Sequence, residues 1–329
     1  MNYNFYNLNK AVMACALIPL LLTGCGAGSD PWEGQVPASQ FASAKETSEA
    51  ATITVTDFAG REVTVPYPPA RIVALSNGDM DIVHALGGHL VGRPTSSAAE
   101  ENLADIEEVG TTHELDLEKI TFLKPDLVLG NAVLNTKDTA MIESIGSHMI
   151  LTEANSASDI QNQIRLLGKV LDQNDKAEEL VQSIDGKIRE MQNAKLSSQP
   201  RVLIIYGAPG TYLAALPNSL SGNLLELAGG VNIASDYPEL DSFPHYAQLN
   251  TERIVESDPE LILIMTHGQP EAVKEGFFKE MQVNAAWNGI SAVKDGQVHV
   301  LPSDLFGTNP GTKVTKALDE LRSLLEEAQ

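Results

Sequence analysis

One apolar run, which ends abruptly at a histidine and a glycine, decides the fold: Leu261-Ile262-Leu263-Ile264-Met265-Thr266-His267-Gly268. A short apolar run between turn-forming residues is typical of a buried strand in a parallel sheet, although periodicity alone does not separate it from a buried helix. Asp258-Pro259 just before the run favours the strand. Because ligands of open α/β sheets bind outside the carboxyl ends of the strands, this strand would present His267 to a ligand. The alternative interpretation of His267 is a turn residue or a capping group.

The signals that lead into this strand occur twice in the chain. A helix start, an x-Pro-acidic turn and a strand appear in Leu249-Asn-Thr-Glu-Arg-Ile254 and Asp258-Pro-Glu-Leu-Ile-Leu263, and again in Leu115-Asp-Leu-Glu-Lys-Ile120 and Lys124-Pro-Asp-Leu-Val-Leu129. Two copies are too few for a solenoid. Together with the alternation of strands and helices, they predict an α/β protein of two lobes with a similar plan, each with a mostly parallel sheet.

The segment between the two copies is nearly free of strand formers, and its apolar residues recur at helical spacing. We predict a long helix over residues 158–197 that joins the lobes; the alternative is two ordinary helices of one lobe, broken near Asp172. The predicted order is therefore a signal peptide, a flexible tether, an N-terminal lobe, the joining helix and a C-terminal lobe. Their bounds are 1–24, 25–51, 52–157, 158–197 and 198–329.

The N-terminus carries an export signal. Lys10 is followed by an apolar run over residues 11–22, which has the length of a signal-peptide core and is too short to span a bilayer. Small residues then lead to Cys25, in a pattern that resembles the lipobox of bacterial lipoproteins. We expect cleavage before Cys25 and a lipid anchor on its thiol, at the extracytoplasmic face of the membrane; a simple secretory peptide is the alternative. Cys15 would be lost with the signal, which leaves no disulfide in the mature chain.

Composition and motifs exclude several functions. Twenty-two Lys and Arg against 44 Asp and Glu give a formal charge of −22, which disfavours nucleic acid as a partner because phosphate binding requires clustered cations. The sequence contains no GxGxxG, GxxxxGK, GxSxG or HExxH motif. A binding protein without catalytic activity is therefore the simplest interpretation.

Two of the seven histidines stand at opposite ends of the repeated pattern, one in each predicted lobe. His113 comes immediately before the first repeated helix, and His267 ends the second repeated strand. Two ligands are too few for a closed zinc site, but they match the two axial positions of a haem, whose other iron ligands come from the porphyrin. A third histidine, His245, lies in the polar aromatic loop over residues 236–248, which is a candidate border of the cleft between the lobes.

From about Thr52 onward, the chain resembles the ABC-transporter substrate-binding lipoproteins that carry siderophores, cobalamin or haem. The broad resemblance rests on Thr56-Asp-Phe-Ala-Gly-Arg61, Val63-Thr-Val-Pro66, Arg71-Ile-Val and Lys124-Pro-Asp-Leu-Val. A closer resemblance, to the haem-binding lipoproteins of Gram-positive haem uptake systems, rests on Gly207-Ala-Pro-Gly-Thr-Tyr-Leu213, Leu227-Ala-Gly-Gly-Val-Asn232, His267-Gly-Gln-Pro-Glu-Ala-Val273, Trp287 with Ala292-Val-Lys294, and Phe306-Gly307. It implies the helical-backbone periplasmic-binding-protein fold.

The resemblance also implies roles for individual residues. The histidine that matches His267 is an axial haem ligand in those proteins, and the second ligand is a methionine at the position that His113 occupies here. Met80 is the fallback second ligand. Ligation by two histidines is expected to lower the reduction potential of the iron relative to a His/Met pair.

Further residues are expected to contact the ligand or the permease. We expect Tyr212 to border the porphyrin, with a core tyrosine as the alternative. Ser76 and Asn77, at a helix N-terminus, would accept a propionate through free backbone amides. Glu108 is the first-lobe candidate for docking on the permease.

The expected function is capture of haem in the cleft and transfer to the permease and ATPase of an ABC importer. We expect a membrane-anchored monomer that closes little on binding and that receives haem from an upstream donor protein. A ferric siderophore or cobalamin is the alternative ligand. A metallocofactor-processing enzyme is the alternative of another class.

Overall fold

The computed structural model describes residues 51–95, 103–111, 113–194, 196–208, 211–266 and 270–329. The predicted signal peptide, nearly all of the tether, the lipidation site Cys25 and the predicted iron ligand His267 lie outside the described residues. The described chain begins with an antiparallel hairpin of β1 (Thr52–Thr56) and β2 (Glu62–Pro66), as the alternating sequence predicts.

The next part of the chain forms a five-stranded sheet in which every pairing is parallel. The strand order is β5-β4-β3-β6-β7, so the chain changes direction across the sheet at β3, where ligands of such sheets commonly bind. Its elements are β3 (Ile72–Ala74), α1 (Asn77–Leu86), β4 (Leu90–Arg93), β5 (Glu107–Glu108), α2 (Leu117–Leu123), β6 (Leu127–Asn131), α3 (Ala132–Asn135), α4 (Thr139–Ser144) and β7 (His148–Thr152).

The joining segment is helical as predicted, but it consists of two helices rather than one. Helix α5 (Ala157–Val170) and helix α6 (Asn174–Asn193) pack side by side in opposite directions, as shown by the 2.7 Å hydrogen bond from Gln161, near the start of α5, to Asp185, in the second half of α6. The expectation of a single helix over residues 158–197 is therefore wrong. Asp172 causes the break, since it adopts a left-handed backbone conformation with φ of 56° that ends α5.

The last part of the chain forms a mixed six-stranded sheet of order β11-β9-β8-β12-β13, with β10 paired to β8. Strands β8, β10, β12 and β13 are parallel, while β9 runs antiparallel to β8 and β11. The elements are β8 (Arg201–Ala208), β9 (Thr211–Ala215), α7 (Leu220–Ala228), β10 (Val231–Asn232), β11 (Tyr246–Gln248), α8 (Thr251–Ser257), β12 (Leu261–Met265), α9 (Pro270–Val283), α10 (Ser291–Lys294), β13 (Val298–Val300), α11 (Ser303–Phe306) and α12 (Val314–Glu327).

The repeated sequence pattern folds into a repeated structure. Asp116 caps α2 by accepting a hydrogen bond from the Lys119 amide at 3.0 Å, and Asn250 caps α8 by accepting one from the Arg253 amide at 3.1 Å. These side chains satisfy donors that the first helical turn leaves free. The two copies therefore begin in the same way.

The two copies also end in the same way. Lys124 after α2 and Asp258 after α8 both adopt a left-handed conformation, with φ of 47° and 42°. The carbonyl of each residue accepts a bond of 3.2 Å from the Nε of an arginine that lies next to or at the start of a strand, Arg71 in the first copy and Arg201 in the second. The arginines thus fix each helix against its own sheet, and the structure supports the predicted similarity of plan.

One hydrophobic cluster connects the two sheets. It contains Leu127 and Ile150 from the first sheet, Val202 and Leu263 from the second, and the buried faces of α5, α6 and α12 between them. Burial of apolar surface on this scale is the main stabilising term of such a fold. The cluster would have to be partly exposed in a large rotation of one sheet against the other, which supports the expectation of small closure.

Gly168 allows α5 and α6 to pack closely, because a Cβ atom at this position would overlap the Cβ of Ala177. We expect Gly168→Ala to destabilise the protein by about 1–3 kcal/mol through overpacking. The matched control is Gly186→Ala in α6, where a Cβ meets nothing within 4 Å, so that change should stabilise by about 0.5–1 kcal/mol through helix propensity. Urea unfolding of both variants measures the difference. Equal effects of the two changes would contradict the packing argument.

Candidate ligand-binding cavity

The stretch Leu261–Met265 is a strand, as predicted, and it lies between β8 and β13 in the second sheet with every residue buried. At its carboxyl end, buried Thr266 packs against the turn after α11. A Cβ at position 307 would lie 3.0 Å from the Thr266 carbonyl oxygen and 2.5 Å from that of Ser303, so only glycine fits there. The position immediately before His267 is therefore firmly held.

A cavity of about 160 Å³ opens at this strand end. Met265 lines it from the second sheet, and Ala154 and Asn155, which follow β7, line it from the side of the first sheet. The remaining described lining comes from the start of α7, the first residues of the β11 region, and α11 with the loop after it. These residues are Ser219, Leu220, Ser221, Leu224, His245, Tyr246, Leu305, Phe306, Gly307, Thr308 and Asn309.

The described lining is half apolar and half polar, and none of it is Asp, Glu, Lys or Arg. This composition is unusual for a chain with a formal charge of −22. Aliphatic and aromatic surfaces combined with a few neutral donors and acceptors are typical of sites for small organic ligands. The cavity thus suits an apolar ligand with a few hydrogen-bonding groups.

The loop before β11 is held in place by the segment before α7. Asn218 donates its side-chain amide to Glu239 and to the Pro244 carbonyl oxygen, both at 3.1 Å, and the Leu216 amide donates to the His245 carbonyl oxygen at 3.0 Å. The loop over residues 236–248 therefore borders a cavity, as the sequence indicates. The Nδ1 atom of His245 is buried and has no hydrogen-bond partner among the described residues.

Tyr246 contributes a neutral phenol to the lining. Its ring packs on Tyr206 with 5.5 Å between ring centroids. Burial, together with the neighbouring Tyr206, raises the pKa of Tyr246 to about 12, and burial also raises the pKa of Tyr206. Tyr246 is consequently a neutral hydrogen-bond donor at neutral pH.

A chain of buried hydrogen bonds connects the cavity wall to α1. Asp79, which is fully buried, accepts bonds from Ser76 at 2.6 Å, Thr152 at 2.9 Å and Gln163 at 2.6 Å. Gln163 in turn accepts a bond of 2.7 Å from Asn309, which lines the cavity. Burial raises the pKa of the Asp79 carboxyl, although its three hydrogen bonds act in the opposite direction. The sequence gives no signal for this chain, because its members are far apart.

Ser76 lies at a helix N-terminus, as predicted, where it caps α1, and its hydroxyl is engaged with Asp79. Asn77 is half-buried, and its Oδ1 atom lacks a hydrogen-bond partner within the described part of the chain. It lines a separate cavity of about 20 Å³ beside Met80, which has room for a single water. Binding of a propionate by Ser76 and Asn77 stays a prediction.

The other predicted ligand contacts lie away from the described lining. Met80 is buried in the hydrophobic cluster that connects the sheets. Tyr212 packs its ring on Phe277 at 5.2 Å and donates its hydroxyl to the Val273 carbonyl oxygen at 3.3 Å, so it contacts α9. His113 is exposed in the bend between Gly110 and Leu115. The roles of these side chains as ligand contacts stay predictions.

Glu108, the predicted docking residue, lies in the edge strand β5. Its carboxylate pairs with the Arg93 guanidinium at 2.9 Å and accepts a bond from Thr95 at 3.1 Å, and its side chain is 41% exposed. The side chain of Glu108 is thus still partly available to a partner.

Neither a membrane span nor a metal cluster occurs in the described ranges. No helix there combines the length and apolar character needed to cross a bilayer. No group of three or more His, Cys, Asp and Glu residues is placed there to hold a metal ion.

The fold and the cleft define a substrate-binding protein. The sequence model of the family described as "Periplasmic binding protein" matches residues 72–305, and the chain belongs to this family. The predicted helical-backbone periplasmic-binding-protein fold is confirmed. The chain is therefore a substrate-binding protein of an ABC importer and not an enzyme, and its homologues are extracytoplasmic proteins.

Three matches, two of them to the same protein, illustrate the similarity of the chain to other members of the family. The high-affinity heme uptake system protein IsdE of Staphylococcus aureus (strain Newman) is 31% identical over 263 residues, which cover 79% of this chain and 86% of that protein. The solved structure of S. aureus IsdE complexed with heme is 30% identical with a TM-score of 0.69, over 78% of this chain and 98% of that chain. An ABC transporter substrate-binding protein from Listeria monocytogenes EGD-e is 31% identical with a TM-score of 0.68, over 78% and 99%.

Proposed function

We propose that this protein binds haem in the cleft next to the strand Leu261–Met265 and passes it to the permease of an ABC importer. The observation that carries the proposal is the cavity at the end of this strand, whose described lining is free of charged Asp, Glu, Lys and Arg side chains. The 31% identity to a protein of a heme uptake system supports the choice of ligand.

The lining favours haem over a ferric siderophore on chemical grounds. A carboxylate or catecholate siderophore surrounds its iron with several charged oxygens, and a cluster of this kind needs several Arg or Lys donors at once, unlike a single carboxylate. Neither residue type occurs in the described lining. A porphyrin presents a broad apolar face, which Leu220, Leu224 and Phe306 can contact. Its iron takes axial ligands from the protein, such as imidazole or thioether.

The cavity receives only part of the ligand. Its volume of 160 Å³ is below the ~300–1,000 Å³ of sites that enclose a whole small molecule. We propose that one edge of the porphyrin enters the cavity while the iron lies further out. His267, two residues after Met265, and His113, which is exposed on the first lobe, supply the axial imidazoles in this proposal.

The remaining assignments belong to the same proposal. Cys25 carries a lipid anchor after cleavage of residues 1–24, Glu108 docks on the permease, and residues 52–157 and 198–329 act as the two lobes. An upstream donor protein delivers haem, and the protein is a monomer.

Labelling of cells with a fatty-acid probe tests the lipid anchor: wild-type protein should be labelled, and Cys25→Ala protein should not.

A titration of the purified protein with haem tests the ligand. We expect saturation at one haem per chain and a Soret band with the low-spin character of two imidazole ligands. Cobalamin and a ferric catecholate siderophore serve as comparison ligands and should bind at least about 100-fold more weakly, a difference of about 2.8 kcal/mol. Tighter binding of either one, or no saturable haem binding, would disprove the proposal.

A further inference from the structure

The proposed haem ligation uses His267 and His113, and it assigns no role to a third histidine, His245. It lies in the wall of the 160 Å³ cavity, next to Tyr246 and on the same lining as Met265. Its Nδ1 atom is buried and has no partner among the residues that the structure describes. Buried polar atoms are nearly always paired, because an unpaired one costs free energy that a partner would recover.

The position of His245 is fixed by the backbone on both sides. Its carbonyl oxygen accepts a hydrogen bond from Leu216, and the carbonyl oxygen of the preceding Pro244 accepts one from Asn218. On the other side, Tyr246 is part of the antiparallel pairing of β11 with β9. The backbone that carries the imidazole is therefore held at the edge of the second sheet.

The surroundings of His245 define the chemistry of its missing partner. The described lining includes neither Lys nor Arg, so His245 is the side chain in it that can carry a positive charge. Asp and Glu are also absent from that lining, so no carboxylate of the protein competes for the imidazole there. Tyr246 beside it offers a neutral hydroxyl donor. An imidazole without a protein acceptor, in the same wall as a neutral tyrosine, suits an oxyanion such as a carboxylate.

We infer that His245, with Tyr246 in the same wall, receives a carboxylate of the ligand, so that a propionate edge of the porphyrin enters the cavity. This inference rests on the proposed function and extends it, because it assigns the orientation of the haem. It places a propionate at the second sheet, in addition to or instead of the predicted contact at Ser76 and Asn77.

The test compares iron protoporphyrin IX with its dimethyl ester, in which both carboxylates are blocked. We expect the wild-type protein to bind the free acid about tenfold more tightly, as for one charge-assisted hydrogen bond. His245→Leu should lose this preference, whereas His245→Asn should retain part of it because the amide nitrogen can stand near the position of Nδ1. The Soret band of bound haem should be the same in all of these proteins.

The control is His299→Leu, since His299 lies in β13 and bonds Gln297 at 3.0 Å outside the cavity lining. It should keep the full preference. Circular dichroism establishes that each variant is folded. Equal affinity of the wild-type protein for both porphyrins, or an unchanged preference in folded His245→Leu, would overturn the inference and leave haem binding intact. A shifted Soret band in His245→Leu would overturn it in favour of iron ligation, and binding of neither porphyrin would overturn the proposed function as well.

Discussion

His267→Ala is expected to lower haem affinity by about 100-fold or more and to remove the low-spin Soret signature. An axial imidazole holds the iron directly, so its loss removes a coordination bond rather than a peripheral contact. A factor of 100 corresponds to about 2.8 kcal/mol. Absorbance titration of the purified variant with haem measures the affinity, and the visible bands report the spin state.

The second axial position allows a sharper test. His113→Ala should also weaken haem binding, whereas Met80→Ala should not, apart from lower stability caused by the cavity that it leaves in the core. His113→Met should restore binding and raise the reduction potential, because a His/Met pair favours ferrous iron more than two histidines do. Potentiometric titration measures this change.

His299→Ala is the matched control for both histidines, because His299 is half-buried and paired with Gln297. Normal haem binding by folded His267→Ala would refute the proposed ligation. Loss of the low-spin signature in Met80→Ala but not in His113→Ala would transfer the second ligand to Met80.

The fold could largely be predicted from short-range patterns. The apolar run Leu261–Met265 and its counterpart Leu127–Asn131 are buried parallel strands, because an x-Pro-acidic turn and a capped helix precede each of them. Both repeated segments predicted as helix starts do begin a helix, α2 capped by Asp116 and α8 capped by Asn250. The sequence around each strand is sufficient to predict it, because the turn and helix-start signals act within a few residues of the chain.

The joining segment shows where such patterns fail. Helical spacing of apolar residues continues from Ile160 to Ile188 with only a short polar interruption, which predicts one helix as well as two. The outcome depends on Asp172 in a left-handed conformation and on the close approach of Gly168 to Ala177. The second of these is a contact between helices, which hydrophobic periodicity does not encode.

The cavity was only partly predictable for a similar reason. The loop that carries His245 was recognised by its polar and aromatic composition, whereas Asn155 and Asn309 lie in the lining only because distant segments meet there. Tyr212 contacts α9 because the helix packs on its ring. Its sequence neighbourhood is the same whether it faces a ligand or a helix.

For Asp79→Asn, we expect the free energy of unfolding of the variant minus that of the wild-type protein to increase as the pH rises from about 4 to 7. Burial raises the pKa of this carboxyl above its ordinary value of 3.8, so the folded wild-type protein holds the proton more tightly than the unfolded chain. The stabilisation by that proton is complete below the ordinary pKa and is lost as the pH rises through the raised pKa. An asparagine has no such loss and can still accept the bond from Gln163.

The measurement is the difference in unfolding free energy between variant and wild type at several pH values, since this difference cancels the titration of the other carboxylates. Asp175→Asn is the control, because Asp175 lies in the first turn of α6 but is exposed. Its difference from the wild-type protein should stay within about 0.5 kcal/mol at all pH values.

Asp79→Ala should destabilise the protein by about 1–3 kcal/mol or more at every pH, because the donors of Ser76, Thr152 and Gln163 lose their acceptor. A difference for Asp79→Asn that is flat or falls with rising pH would show that the hydrogen bonds outweigh burial. Asp79 would then be an ionised anchor that, through Gln163, holds Asn309 in the cavity wall.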